Sequence, residues 1–98
     1  MSMEIKTIGV IGAGQMGLGI AHVCAAAGYD IRLMDIDEAA LAKAMATIEK
    51  NLGRQVARHS LEEPAMKAAL DRLHAGTDAS AVKGCDLVIE AATEDEEV

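Results

Sequence analysis

Apolar positions along this chain follow two periods in turn: short runs of strand length, and longer stretches with the three-to-four spacing of a helix. Ile5, Ile8, Val10 and Ile11 mark a first strand over residues 5–11. The alanine-rich stretch Gln15–Ala27 predicts a helix, with Gly28 in its C-terminal capping position. Tyr29–Asp35 reads as a second strand with Ile31 and Leu33 on one face, followed by a long helix from about Glu38 to His59 with Asp37 as N-cap. Leu61–Leu73 predicts another helix, in which Pro64 is tolerable only in the first turn. A short strand near Leu73–Thr77 and a helical turn at Ala79–Lys83, capped by Asp78, come next. Leu87–Ala91 is then expected to be a buried strand bounded by Gly84 and Thr93. Such βα alternation predicts a parallel sheet with right-handed crossovers and a ligand crevice at the carboxyl ends of its strands. Gly12, Asp35 and Glu94 fall at those ends.

The chemistry is concentrated between the first strand and the first helix. Gly12, Gly14 and Gly17 form a G-x-G-x-x-G motif, and Asp35 follows eighteen positions after the last glycine. Three such glycines arise easily by chance. Strand, glycine turn, helix, strand and acid in that order are more specific, and read as a dinucleotide-binding βαβ unit. Gly12 allows a sharp turn out of the strand, Gly14 a close approach of pyrophosphate, and Gly17 tight packing of helix on strand. The first N–H groups of the helix, in the segment Gly12-Ala13-Gly14-Gln15-Met16-Gly17, lack intrahelical partners and favour an anion. A glycine-rich turn without a ligand is the plainer alternative. Asp35 favours NAD over NADP, because a carboxylate accepts from ribose hydroxyls and repels a 2′-phosphate; Ile36-Asp37-Glu38 adds charge and no arginine.

Ninety-eight residues, 51% hydrophobic and 26% charged, suit a soluble folded chain of one small domain at most. A complete Rossmann-type doubly wound sheet needs more chain, and Glu94-Asp95-Glu96-Glu97-Val98 reads as the opening of a helix. Residues 1–98 are thus expected to be the N-terminal part of an NAD-binding domain, a fragment of a longer protein. No run of about eighteen apolar residues suggests a membrane span, and the N-terminus has no signal-peptide pattern. Cys24 and Cys85 fit neither metal nor disulfide spacing and are expected to be free buried thiols of a cytoplasmic protein.

On the long helix, Leu41, Met45, Ile48, Leu52 and Val56 make an apolar stripe, with Lys43, Lys50, Arg54 and Arg58 opposite. A solvated face accounts for such a pattern. So does an electropositive rail for a phosphate-bearing substrate in a chain of formal charge −7. Nucleic acid is disfavoured by that charge and by a single aromatic residue, Tyr29. His22 is expected to be a packed, hydrogen-bonded imidazole, and His59 and His74 to be exposed. No catalytic triad and no metal set is visible.

Residues 8–35, Ile48–Arg58 and Asp86–Val98 together resemble the N-terminal part of the 3-hydroxyacyl-CoA dehydrogenases, most nearly the bacterial 3-hydroxybutyryl-CoA enzymes. The resemblance implies an NAD domain followed by a helical C-terminal domain, not present in this chain, that completes the substrate site and dimerises. It implies hydride transfer between C3 of a short-chain 3-hydroxyacyl-CoA and NAD, in fatty acid or butanoate metabolism. The histidine base and its orienting glutamate would lie beyond Val98, so no catalytic residue is assigned here. It places the pyrophosphate loop on Gly12–Gly17, the ribose acid on Asp35, a nicotinamide-side glutamate on Glu94 and coenzyme A contacts on Asn51 and Arg58. Where the family often has a glycine-lysine turn after Arg58, His59-Ser60 stands instead. Two alternatives share parts of the pattern: another 3-hydroxyacid NAD(P) dehydrogenase, and a non-catalytic protein retaining the NAD fold.

Overall fold

The computed structural model describes residues 4–91. Four parallel strands, β1 (Thr7–Ile11), β2 (Asp30–Met34), β3 (Leu73–Gly76) and β4 (Leu87–Glu90), form one sheet in the order β3-β2-β1-β4. The connections are α1 (Gln15–Ala27) after β1, α2 (Glu38–Ala57) and α3 (Glu63–Asp71) after β2, and a 3₁₀ turn Ala79–Val82 after β3. The chain thus runs outward from β1 through β2 to β3, then returns to the far side of β1, so the strand order reverses beside β1. In an open α/β sheet that reversal opens a crevice at the carboxyl ends of the strands.

Paired residues of parallel strands share a face. Ile8, Ile31, Leu73 and Leu87 are in register, as are Val10, Leu33 and Ile89. Val10, Ile31 and Leu33 are fully buried, together with Ile48 and Leu52 from α2. Each such side chain contributes roughly 1.5–3 kcal/mol by leaving water, so this layer fixes the height of α1 and α2 above the sheet. On the other face Gly9 and Gly76 leave room for the 3₁₀ turn: a Cβ at Gly9 would stand 2.8 Å from that of Val82, and one at Gly76 2.6 Å from that of Ala81.

The elements follow the sequence pattern with shifts at their ends. Helix α1 matches its expected span, and Gly28 (φ 110°) closes it in the left-handed conformation. Helix α3 is shorter than Leu61–Leu73, because Pro64 sits in its first turn and Leu73 already belongs to β3. Helix α2 stops at Ala57, and His59 turns left-handed (φ 61°) where a glycine would do so at less cost. Strand β4 corrects the expectation of a buried strand. Among the described residues it pairs with β1 alone, and Leu87 and Val88 stand exposed (41% and 44%). Cys24 and Cys85 are free but half-buried rather than buried, and desolvation raises both thiols above their ordinary range. His22 is half-buried, and among the described residues its imidazole has no hydrogen-bond partner.

Candidate dinucleotide-binding site

At the end of β1 the chain turns on Gly12 (φ 106°), whose N–H donates to the Met34 carbonyl at 2.7 Å. The next N–H, that of Ala13, donates to Oδ2 of Asp35 at 2.8 Å, and the other oxygen of that carboxylate accepts from the Asp37 N–H at 2.8 Å. The glycine loop, the end of β2 and the start of α2 are therefore joined through one half-buried acid.

Helix α1 begins after Gly14, which has no side chain to cap it, and its first turn carries no acidic residue. The first α-helical bond runs from the Leu18 N–H to the Gly14 carbonyl, at 2.9 Å, so the N–H groups before Leu18 point out of the helix end. Helix α2 is built differently: Asp37 accepts from Ala39 and Ala40, at 3.0 and 3.3 Å, and closes the helix end with its own carboxylate. An open helix N-terminus beside a closed one is the arrangement an anionic ligand requires. The glycines fit the same purpose. A Cβ on Gly14 would meet nothing within 4 Å, so the space above it is free, whereas one on Gly17 would run into the Gly12 carbonyl. Gln15 and Met16 are exposed beside the loop, and Ala13 is buried beneath it.

A cleft of about 560 Å³ opens from this loop toward α2, lined by Ala13, Gly14, Gln15, Leu18, Ala40, Lys43, Ala44, Thr47 and Asn51. It brings Asn51 to the same space as the glycine loop. Arg58 is not among its walls; it lies exposed at the C-cap of α2. Sequence reading missed Thr47, and placed Lys43 only on the basic face. The available signal was the spacing of four between Lys43, Thr47 and Asn51, which puts all three on one side of a helix. Lys43, Lys50, Arg54 and Arg58 are all exposed, and among the described residues none of them has an acid within ion-pair distance. Glu94 lies outside the described residues.

His59 and His74 stand apart from the crevice. His59 is exposed after α2, and His74 is exposed at β3. His74 Nε2 lies 3.1 Å from Asp30 Oδ1, a pairing across 44 residues that the sequence did not show, and Asp30 begins β2 at the opposite end of the sheet from the loop. Among the described residues no group of His, Cys, Asp and Glu is placed to hold a metal, and no helix is long and apolar enough to cross a membrane.

A parallel sheet with an uncapped helix over a glycine turn, and a carboxylate at the end of the neighbouring strand, defines the class: a Rossmann-type dinucleotide-binding unit. Residues 7–98 match the family described as 3-hydroxyacyl-CoA dehydrogenase, NAD binding domain, and the chain belongs to that family, with NAD as its cofactor. It is 51% identical to a 3-hydroxybutyryl-CoA dehydrogenase of Bradyrhizobium diazoefficiens, over 100% of this chain and 33% of that one. The crystal structure of (S)-3-hydroxybutyryl-CoA dehydrogenase from Ralstonia eutropha superposes with a TM-score of 0.89 at 41% identity, covering 95% of this chain and 33% of that one. A lactate dehydrogenase from Cryptosporidium parvum, 22% identical with a TM-score of 0.65 over 99% of this chain and 27% of its own, shares the fold alone. The chain spans about a third of the length of the Bradyrhizobium and Ralstonia relatives.

The residues present suit NAD. The amides at the start of α1 and the free space over Gly14 would hold its pyrophosphate. A carboxylate has about four lone-pair sites, and Asp35 spends one on each of two backbone donors, leaving others for ribose hydroxyls.

Proposed function

We propose that the full-length protein is an NAD-dependent dehydrogenase of short-chain 3-hydroxyacyl-CoA, interconverting 3-hydroxybutyryl-CoA and acetoacetyl-CoA. The observation that carries this reading is the single cleft joining the glycine loop to Asn51 on α2. A dinucleotide at the loop and an acyl-CoA on α2 would then be neighbours. NAD, when bound, supplies the hydride acceptor. The chain's own residues bind and orient: the α1 amides take pyrophosphate, Asp35 takes the adenine ribose, and Glu94 is assigned to the nicotinamide side.

Asn51 and Arg58 are assigned to coenzyme A. They are seven residues apart, two helical turns, and so lie on one side of α2. Lys50 and Arg54 between them raise the local positive potential in an acidic chain. The guanidinium fork of Arg58 matches phosphate oxygens. The histidine base and its glutamate partner are assigned to positions past Val98, in keeping with His59 and His74 lying away from the crevice. A cytoplasmic homodimer working in fatty acid or butanoate metabolism, joined through a helical C-terminal domain, completes the proposal.

Arg58→Ala tests it in an acetoacetyl-CoA reduction assay with NADH. The contact is remote from the reacting carbon and equal in ground and transition states, so KM for acetoacetyl-CoA should rise with little change in kcat. The rise should shrink with added salt, because exposed charges are screened within about 8 Å at physiological ionic strength. An unchanged KM at low salt would make the stripe a solvated face only.

A further inference from the structure

Asp35 does more in this structure than stand where a ribose would bind. We propose that its carboxylate is also a positioning residue for the glycine loop, holding that loop in its anion-receiving shape before any ligand arrives. The inference rests on the reading of Gly12–Gly17 as the pyrophosphate loop.

The bonds are specific. Oδ2 accepts the Ala13 N–H and Oδ1 the Asp37 N–H, both at 2.8 Å. Ala13 is 4% exposed, so without the carboxylate its N–H would face a space that water scarcely reaches. Gly12 is held by the Met34 carbonyl, and Leu18 by the Gly14 carbonyl, and among the described residues the Ala13 N–H makes the one hydrogen bond between them that ties the turn to the body of the sheet. Asp37 in turn caps α2 through Ala39 and Ala40. One carboxylate therefore sets the loop against both β2 and α2.

The chemistry is demanding because both partners are donors. An asparagine has one acceptor oxygen, and its NH₂ would face one of the two N–H groups. Asp35→Asn must release either Ala13 or Asp37, while keeping size and shape.

The two roles of Asp35 separate by ligand. Ribose recognition needs the 2′ and 3′ hydroxyls; loop positioning does not. Binding of ADP and of 2′,3′-dideoxy-ADP to the full-length protein, wild type and Asp35→Asn, is measured by calorimetry. If the loop is positioned by Asp35, the substitution weakens dideoxy-ADP about tenfold, and ADP by more. If dideoxy-ADP binds the variant as well as wild type, Asp35 serves the ribose only and the proposal fails. A wild type that binds neither nucleotide overturns the dinucleotide site itself, which is a different result.

Amide hydrogen exchange on ligand-free wild type needs no variant. Ala13 and Asp37 should be protected, while Gly14 and Gln15, at the open helix end, exchange fast. Exchange of Ala13 as fast as Gly14 overturns the proposal even if Asp35→Asn fails to fold.

Discussion

Gly14 and Gly17 are three residues apart and differ in what a methyl group would meet. At Gly17 it runs into the Gly12 carbonyl, which is backbone and cannot swing aside; at Gly14 it meets open space. Gly17→Ala should therefore destabilise the fold by about 1–3 kcal/mol or more, as overpacking does, seen as a lower urea midpoint. Gly14→Ala should leave the midpoint nearly unchanged, since its φ of −72° suits alanine, and should instead weaken NAD in a binding titration. The opposite pattern would mean that the two glycines have been assigned the wrong tasks. The motif spacing and the acid at the strand end were legible in the sequence because they are local. The bonds from Ala13 to Asp35, 22 residues apart, and from His74 to Asp30, 44 apart, were not, because only the strand order brings those residues together.

Among the elements, α2 was read most fully. Its apolar stripe buries Leu41, Ile48 and Leu52, and Ala44 joins them although the side-chain pattern did not single it out. Asp37 caps it as expected, and Asp37→Ala should cost about 1 kcal/mol in thermal or urea unfolding. Strand β4 was read least well. A run of Leu87, Val88 and Ile89 states that a strand is apolar, but not how far other elements among the described residues cover it.

Beside the backbone ladder, β4 is joined to the start of β1 by Asp86, whose Oδ2 accepts from the Lys6 and Thr7 N–H groups at 2.9 and 3.1 Å. Those two backbone bonds, Lys6 first, hold its carboxyl below the ordinary value of 3.8. A carboxylate lowered in the folded state stabilises at pH above its unfolded value, and the stabilisation is lost as pH falls through the lowered folded value. Wild type should therefore lose more stability than Asp86→Ala as pH drops below about 4. Parallel decline of the two proteins would show that these bonds add nothing to the strand's hold on β1.

For the molecule as a whole, the formal charge of −7 opposes phosphate ligands, and the structure answers with local features. The uncapped start of α1 and the Lys43, Thr47 and Asn51 side of α2 face one cleft, which is where the proposed function seats its two phosphate-bearing ligands. On the proposed assignment, Asp35 decides which dinucleotide enters. Its carboxylate offers acceptors to a ribose diol and repels a 2′-phosphate, and Asp37 and Glu38 stand beside it. Charge-assisted hydrogen bonds of this kind are worth about 1.5–3 kcal/mol, roughly tenfold or more in affinity. The most direct measurement is a calorimetric titration of NAD and of NADP into the full-length protein, wild type and Asp35→Ala. Wild type should bind NAD at least tenfold more tightly than NADP, and Asp35→Ala should lose most of that preference by weakening NAD. Equal affinities of wild type for the two cofactors would contradict the assignment of Asp35 and the account built on it.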